Sequence, residues 1–109
     1  MSRLEWVTRL AKEKKAGQIK VFDVRKMTDV TDNFLVCDGT SSTQIKAVAD
    51  HIAEECKKKQ ISFRQGGKAD SGWIVLDLGD VVVHVMLEEE RKFYNLEDLW
   101  EKYAIVYHV

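Results

Sequence analysis

Proline is absent from all 109 residues, so no position carries the fixed φ and missing amide donor that break helices and central strands. Only two cysteines occur, Cys37 and Cys56, with no CxxC spacing and no histidine pair nearby. That argues against a disulfide framework and against the common zinc patterns. Both thiols lie in apolar segments, where free cysteine behaves as a small hydrophobe. A reducing, cytoplasmic setting is expected. No apolar run approaches the roughly 20 residues of a membrane span. The start, Met1-Ser2-Arg3-Leu4-Glu5-Trp6, has an early acid and no apolar h-region, so neither a signal peptide nor a membrane partner is expected. Charge of one sign is missing too. Seventeen Lys and Arg face eighteen Asp and Glu, for a net charge of −1. A protein that grips nucleic acid through its phosphates carries a basic excess or stripe, so DNA is not expected as a partner. Basic residues cluster only at Lys12-Glu13-Lys14-Lys15 and Lys57-Lys58-Lys59. Both fall where helices should end and cations complement the helix dipole.

What is present reads as one α/β domain over residues 1–109, with 45% hydrophobic and 32% charged residues, a globular balance and not a disordered one. Leu4, Val7, Leu10 and Ala11 recur at helical spacing, predicting a helix over 3–16 that Gly17 ends. Ile19 to Val24 alternates as a strand, and Phe34-Leu35-Val36-Cys37 is a short apolar run of the central-strand kind. Ser41-Ser42-Thr43-Gln44 fits a capping box. Behind it Ile45, Val48, Ala49, Ile52, Ala53 and Cys56 form one apolar helix face. Ile61–Gln65 is expected as a third strand, followed by a glycine-rich turn over 66–72. Trp73–Leu78 and Val81–Met86 are two strands joined at Gly79-Asp80. Glu88-Glu89-Glu90 opens a helical turn, and Asn95 is placed to cap a last helix carrying Leu96, Leu99 and Trp100. The tail from Ile105 is either an extra short strand or a loose end. The expected fold is a single mixed five-stranded sheet flanked by helices, because tight hairpins cannot join parallel strands.

Few residues are arranged for chemistry. Gly39-Thr40-Ser41-Ser42 stands at a strand-to-helix junction that could cradle a phosphate, but one glycine and no GxxxxGK[ST] pattern leave helix capping as the simpler account. Asp77, Asp80 and His84 could converge at one end of the hairpin as a weak divalent site if the faces of the two strands coincide. The plainer account has Asp80 in the turn, Asp77 facing a partner's cation and His84 hydrogen-bonded in the sheet. No serine lies in a GxSxG elbow. His51, beside the apolar stripe of the central helix, lines its edge. No catalytic residue, metal or cofactor is assigned. The aromatic residues are more informative. Trp73, Phe93, Tyr94 and Trp100 are many large rings for the last third of a small chain, and Trp and Tyr rimmed by acids suit a protein-binding patch.

Gly39-Thr40-Ser41-Ser42 followed by Ile45-Lys46-Ala47-Val48-Ala49-Asp50 is similar to a signature of the ribosomal silencing factor, or iojap-like, family. The stronger match is the run Trp73-Ile74-Val75-Leu76-Asp77-Leu78-Gly79-Asp80-Val81-Val82-Val83-His84-Val85-Met86. It continues through Glu89-Glu90-Arg91 and Tyr94-Asn95-Leu96-Glu97-Asp98-Leu99-Trp100, with Thr31-Asp32 fitting before the second strand. The resemblance runs over roughly residues 3 to 101, and it implies a sheet related in shape to nucleotidyltransferases but without their activity. It further implies binding to a large-subunit ribosomal protein, number fourteen in the standard naming, on the intersubunit face. Such binding blocks subunit joining and damps translation when nutrients are scarce. Organellar relatives act in large-subunit assembly, and free members are often homodimers. On this chain the implied docking residues are Trp73, Asp77, Asp80, His84, Glu89 and Tyr94. Gly66 stands where relatives commonly carry glutamate, and Thr43 where some have a basic residue. Two alternatives compete. One is an assembly factor using the same face. The other is a nucleotidyltransferase-like enzyme, disfavoured because the D-x-x-D spacing of Asp77 and Asp80 sends them to opposite faces.

Overall fold

The computed structural model describes residues 2–102 and the backbone of residues 105–108. The first helix, α1 (Arg3–Glu13), is capped by Ser2, whose hydroxyl accepts from the Glu5 amide, and it buries Trp6, Val7, Leu10 and Ala11. It ends earlier than glycine placement suggested. Lys15 takes the left-handed conformation (φ 59°) and the Ala16 amide returns to the Ala11 carbonyl. Gly17 instead begins β1 (Gly17–Asp23), where a Cβ would stand 2.5 Å from an Asp38 carboxylate oxygen. β1 runs antiparallel to β2 (Asn33–Gly39). The apolar stripe predicted for the central helix is the buried face of α2 (Ser42–Lys58): Ile45, Val48, Ala49, Ile52, Ala53 and Cys56. Complete burial of an aliphatic side chain of this kind contributes on the order of 1.5–3 kcal/mol. Lys57 and Lys58 occupy its last turn, as the dipole favours.

The third strand departs from expectation. β3 spans Arg64–Lys68, so Gly66 and Gly67 are strand residues and not part of a turn. Ile61 and Phe63 pack partly buried against the core instead, and the Ile61 amide closes α2 onto the Cys56 carbonyl. Only the 3₁₀ turn Ala69–Ser71 and Gly72 separate β3 from β4 (Trp73–Asp77). β4 pairs antiparallel with β5 (Val81–Leu87) through the turn Leu78-Gly79-Asp80, and β5 lies parallel to β2. The five expected strands thus make a mixed sheet. The tail adds a sixth, β6 (Ile105–His108), beside β1, giving the order β3-β4-β5-β2-β1-β6. Its backbone pairs what would otherwise be an open β1 edge. Met1, residues 103 and 104 and Val109 lie outside the described residues.

Two helices cover one sheet face. α1 and α2 pack on Leu35, Cys37, Ile74, Leu76, Val83 and Val85 to form the main core. The other face is only partly covered, by the short helices α3 (Glu88–Tyr94) and α4 (Leu96–Glu101), with Trp100 packed against Phe22, Val24 and Val36. Asn95 joins them in the left-handed conformation (φ 46°, ψ 43°). It occupies the N-cap position of α4, as the sequence suggested, but its side-chain amide donates to Asp98 at 2.7 Å and makes no cap hydrogen bond. Among the described residues, no helix is long and apolar enough to cross a membrane.

Candidate functional site: an aromatic patch on the second sheet face

Strand alternation sends Trp73, Val75 and Asp77 to the second face. Their cross-strand partners are Met86, His84 and Val82. The two strand faces therefore do coincide, but they gather rings and not acids. Trp73 lies 5.2 Å from Tyr94 and 5.9 Å from His84, centroid to centroid. His84 in turn contacts Phe34 at 5.2 Å and Trp100 at 5.3 Å. The series surfaces through Tyr94, which meets Phe93 edge-on at 5.2 Å. Phe93 and Tyr94 are 79% and 49% exposed, large apolar areas for a chain this small.

His84 lies beneath this patch, only 8% exposed, and so supports the surface without forming it. The indole nitrogen of Trp73 donates to His84 Nδ1 at 3.2 Å. An indole can only donate, so the imidazole carries its proton on Nε2. That atom is buried and has no hydrogen-bond partner among the described residues. Burial pushes the imidazole pKa down to about 4, so His84 is neutral at physiological pH.

The two aspartates do not converge. Asp77 accepts from the Gly79 amide at 2.8 Å and shapes its own turn, opposite Arg64 in the strand register. Asp80 pairs with Arg3 of α1 at 3.0 Å, on the helical side of the sheet. Glu89 is exposed in the first turn of α3, next to Glu88 and Glu90, near the aromatic patch along the same helix. The Gly39–Ser42 junction is filled from within. Ser41 Oγ accepts from the Gln44 amide at 3.1 Å, and Gln44 Oε1 accepts from the Thr40 amide at 2.9 Å. The capping box is therefore present, with its second leg one residue earlier than the usual pattern. His51 meets Glu13 at 2.8 Å between α2 and α1. A depression of ≈ 730 Å³ beside α1 and β1 is lined by none of the six docking residues expected from the sequence.

Sequence reasoning missed the charged cluster behind the patch. Arg91, 8% exposed, sends Nη1 to Asp38 at 3.0 Å and a two-pronged contact, 2.6 and 3.1 Å, to Glu97. Lys20 reaches Glu97 from β1 at 3.3 Å. Burial raises the Asp38 carboxyl above its ordinary range despite Arg91. For Glu97, burial acts the same way, but Arg91 and Lys20 outweigh it and hold the carboxyl low. Burial likewise disfavours the Arg91 charge, and the two carboxylates more than compensate. A lone arginine after three glutamates, in a helix following an apolar strand, was the only local hint.

The model of the family described as ribosomal silencing factor during starvation matches residues 2–107. The ribosomal silencing factor of Haemophilus influenzae is 42% identical over 101 residues, covering 92% of this chain and 99% of that protein. A crystal structure of a Bacillus halodurans protein superposes with a TM-score of 0.84 at 33% identity, covering 97% of this chain and 96% of the other. A more distant relative, at 29% identity, is the mouse protein named mitochondrial assembly of ribosomal large subunit protein 1; it covers 89% of this chain and 44% of that protein. Fold and sequence together place the chain in the ribosomal silencing factor family.

Proposed function

We propose that the whole chain, residues 1–109, acts as one docking domain in the cytoplasm. It binds the large ribosomal subunit through the ribosomal protein numbered fourteen and blocks subunit joining by occupying space. The observation that carries this is the exposed aromatic patch. Trp73, Tyr94 and Phe93 supply apolar area, with Asp77 on the same face and the acids Glu88 and Glu89 on the helix that ends in Tyr94. Ribosomal proteins present basic surfaces, so acids around an apolar centre match such a partner, speed the encounter and make it salt-sensitive. Asp80, paired with Arg3 on the α1 side of the sheet, lies off this patch, and His84 acts from beneath by fixing Trp73. Extents of 31 × 31 × 23 Å suffice to obstruct a partner's approach without any chemistry. The free protein forms a homodimer.

A second use of the same face, in large-subunit maturation, is favoured by the name of the mouse relative. Light scattering of subunit joining separates the two. Preincubation with large subunits should abolish joining, while addition to formed ribosomes should not. Normal joining with the large subunit saturated would refute occlusion and leave the assembly role.

A further inference from the structure

The helices that present the patch are poorly supported by their own local structure. α3 has seven residues and α4 six, and neither has a side-chain N-cap hydrogen bond. Helices this short are not stable alone. Between them stands Asn95, a non-glycine residue in the left-handed region, immediately after Tyr94. Local sequence therefore does little to fix where Tyr94 points.

Arg91 supplies what is missing. It stands one turn before Tyr94 on α3, and its guanidinium reaches across the Asn95 joint to α4 and also to the sheet. One nitrogen reaches Asp38 near the end of β2; two others fork onto Glu97 in the first turn of α4. Lys20 extends the tie from Glu97 to β1. Gly17 admits the Asp38 carboxylate where a Cβ would collide with it. A buried ion pair of this kind adds little net stability over an apolar replacement, so orientation is the better physical reason for it. The two-pronged geometry requires a guanidinium; an ammonium is a single point charge and cannot reproduce it.

We infer that Arg91 is the positioning residue of the docking face, locking α3 against α4 and the sheet so that Tyr94 stays packed against Trp73. This inference rests on the docking role proposed above. Four variants separate the two: Trp73→Ala, Tyr94→Ala, Arg91→Lys and the double Arg91→Lys/Tyr94→Ala. Each is titrated against isolated large subunits and compared by near-ultraviolet circular dichroism.

If Arg91 acts through Tyr94, Arg91→Lys weakens binding about tenfold and reduces the aromatic dichroism, and the double variant binds no worse than the weaker single one, because effects through one contact are not additive. Asp38→Asn, which keeps an oxygen acceptor and the side-chain volume, should weaken binding in the same direction. It decides the matter if Arg91→Lys does not fold. Wild-type affinity in the folded Arg91→Lys protein, or additive losses in the double variant, would overturn positioning while leaving the docking face intact. Wild-type affinity in both Trp73→Ala and Tyr94→Ala would instead refute the docking face, and the positioning role with it.

Discussion

Acidification should destabilise this protein through His84, and the size of the effect follows from its surroundings. The imidazole is enclosed by Phe34, Trp73 and Trp100, and its one hydrogen bond among the described residues, from the Trp73 indole, occupies the unprotonated nitrogen. A second proton would have to displace that donor and place a charge among rings. Burial accordingly lowers the pKa from 6.5 to about 4. Because the folded value lies below the unfolded one, the unfolded chain binds more protons between them. The contribution to stability is complete above about pH 6.5 and is lost as pH falls towards 4. The full shift corresponds to about 3 kcal/mol, most of which should be gone by pH 4.5. Other groups titrate nearby. Glu97, held low, adds to the loss, whereas Asp38, held high, opposes it. The difference between wild type and His84→Asn isolates the histidine, since asparagine keeps an acceptor for the indole and does not titrate. Urea unfolding followed by tryptophan fluorescence at pH 7.5 and 4.5 provides the measurement. The stability gap between the two proteins should narrow by an amount on the order of 2–3 kcal/mol on acidification. A gap that stays constant would refute the assignment of a buried neutral imidazole.

The hairpin that carries Trp73 offers two contrasting glycines. Gly67→Ala should cost about 1–3 kcal/mol in chemical unfolding, because its φ is +75° and a Cβ would stand 2.1 Å from the Trp73 carbonyl oxygen. Gly66→Glu meets nothing within 4 Å, opposite Val75 on the edge strand, and should change stability by no more than about 0.5 kcal/mol. It should also tighten binding to large subunits at low salt, by placing an acid opposite Val75 beside the proposed docking face. Cys37 is fully buried, with its thiol pushed up to about 12, and Cys56 is raised by burial as well. Iodoacetamide at pH 8 should leave both unlabelled by mass spectrometry in the native protein and modify both promptly in urea; rapid native labelling would contradict the packing of α2 on the sheet.

The elements legible in the sequence are those whose cause is local. The α2 stripe and the β4 alternation repeat at the period of their own structure, β2 and β5 are continuous apolar runs of buried strands, and all of them stand as read. The errors fall where distant partners decide. β3 is three residues later than its apolar letters suggest, because pairing with β4 sets the register and Ile61 and Phe63 serve the core. Asn95 takes the cap position read from the sequence, yet the joint between two pinned helices turns it left-handed and leaves it without a cap hydrogen bond. Arg91 and Asp38 are separated by 53 residues, so nothing in the neighbourhood of either announced the pair. The aromatic patch was legible in part. Trp73 and Tyr94 stood out as rings beside loops, whereas the depth of His84 depends on how α4 lies across the sheet.

That depth bears on whether the open face suits acid chemistry or docking. A pair of acids three residues apart on a tight turn diverges, and here Asp77 serves its turn while Asp80 turns towards α1. What occupies the face is an indole whose one polar atom is already satisfied from within, by His84. A partner that covers Trp73 need not supply an acceptor for it. Leaving such a donor unpaired in an interface costs about 1–3 kcal/mol, so the internal hydrogen bond removes a desolvation penalty that most exposed tryptophans impose on their partners. The same bond requires His84 to stay neutral and buried. The acid sensitivity of the fold and the readiness of its surface to be covered therefore have one physical origin, and the His84→Asn protein, which keeps the acceptor but not the titration, should lose the first while retaining most of the second.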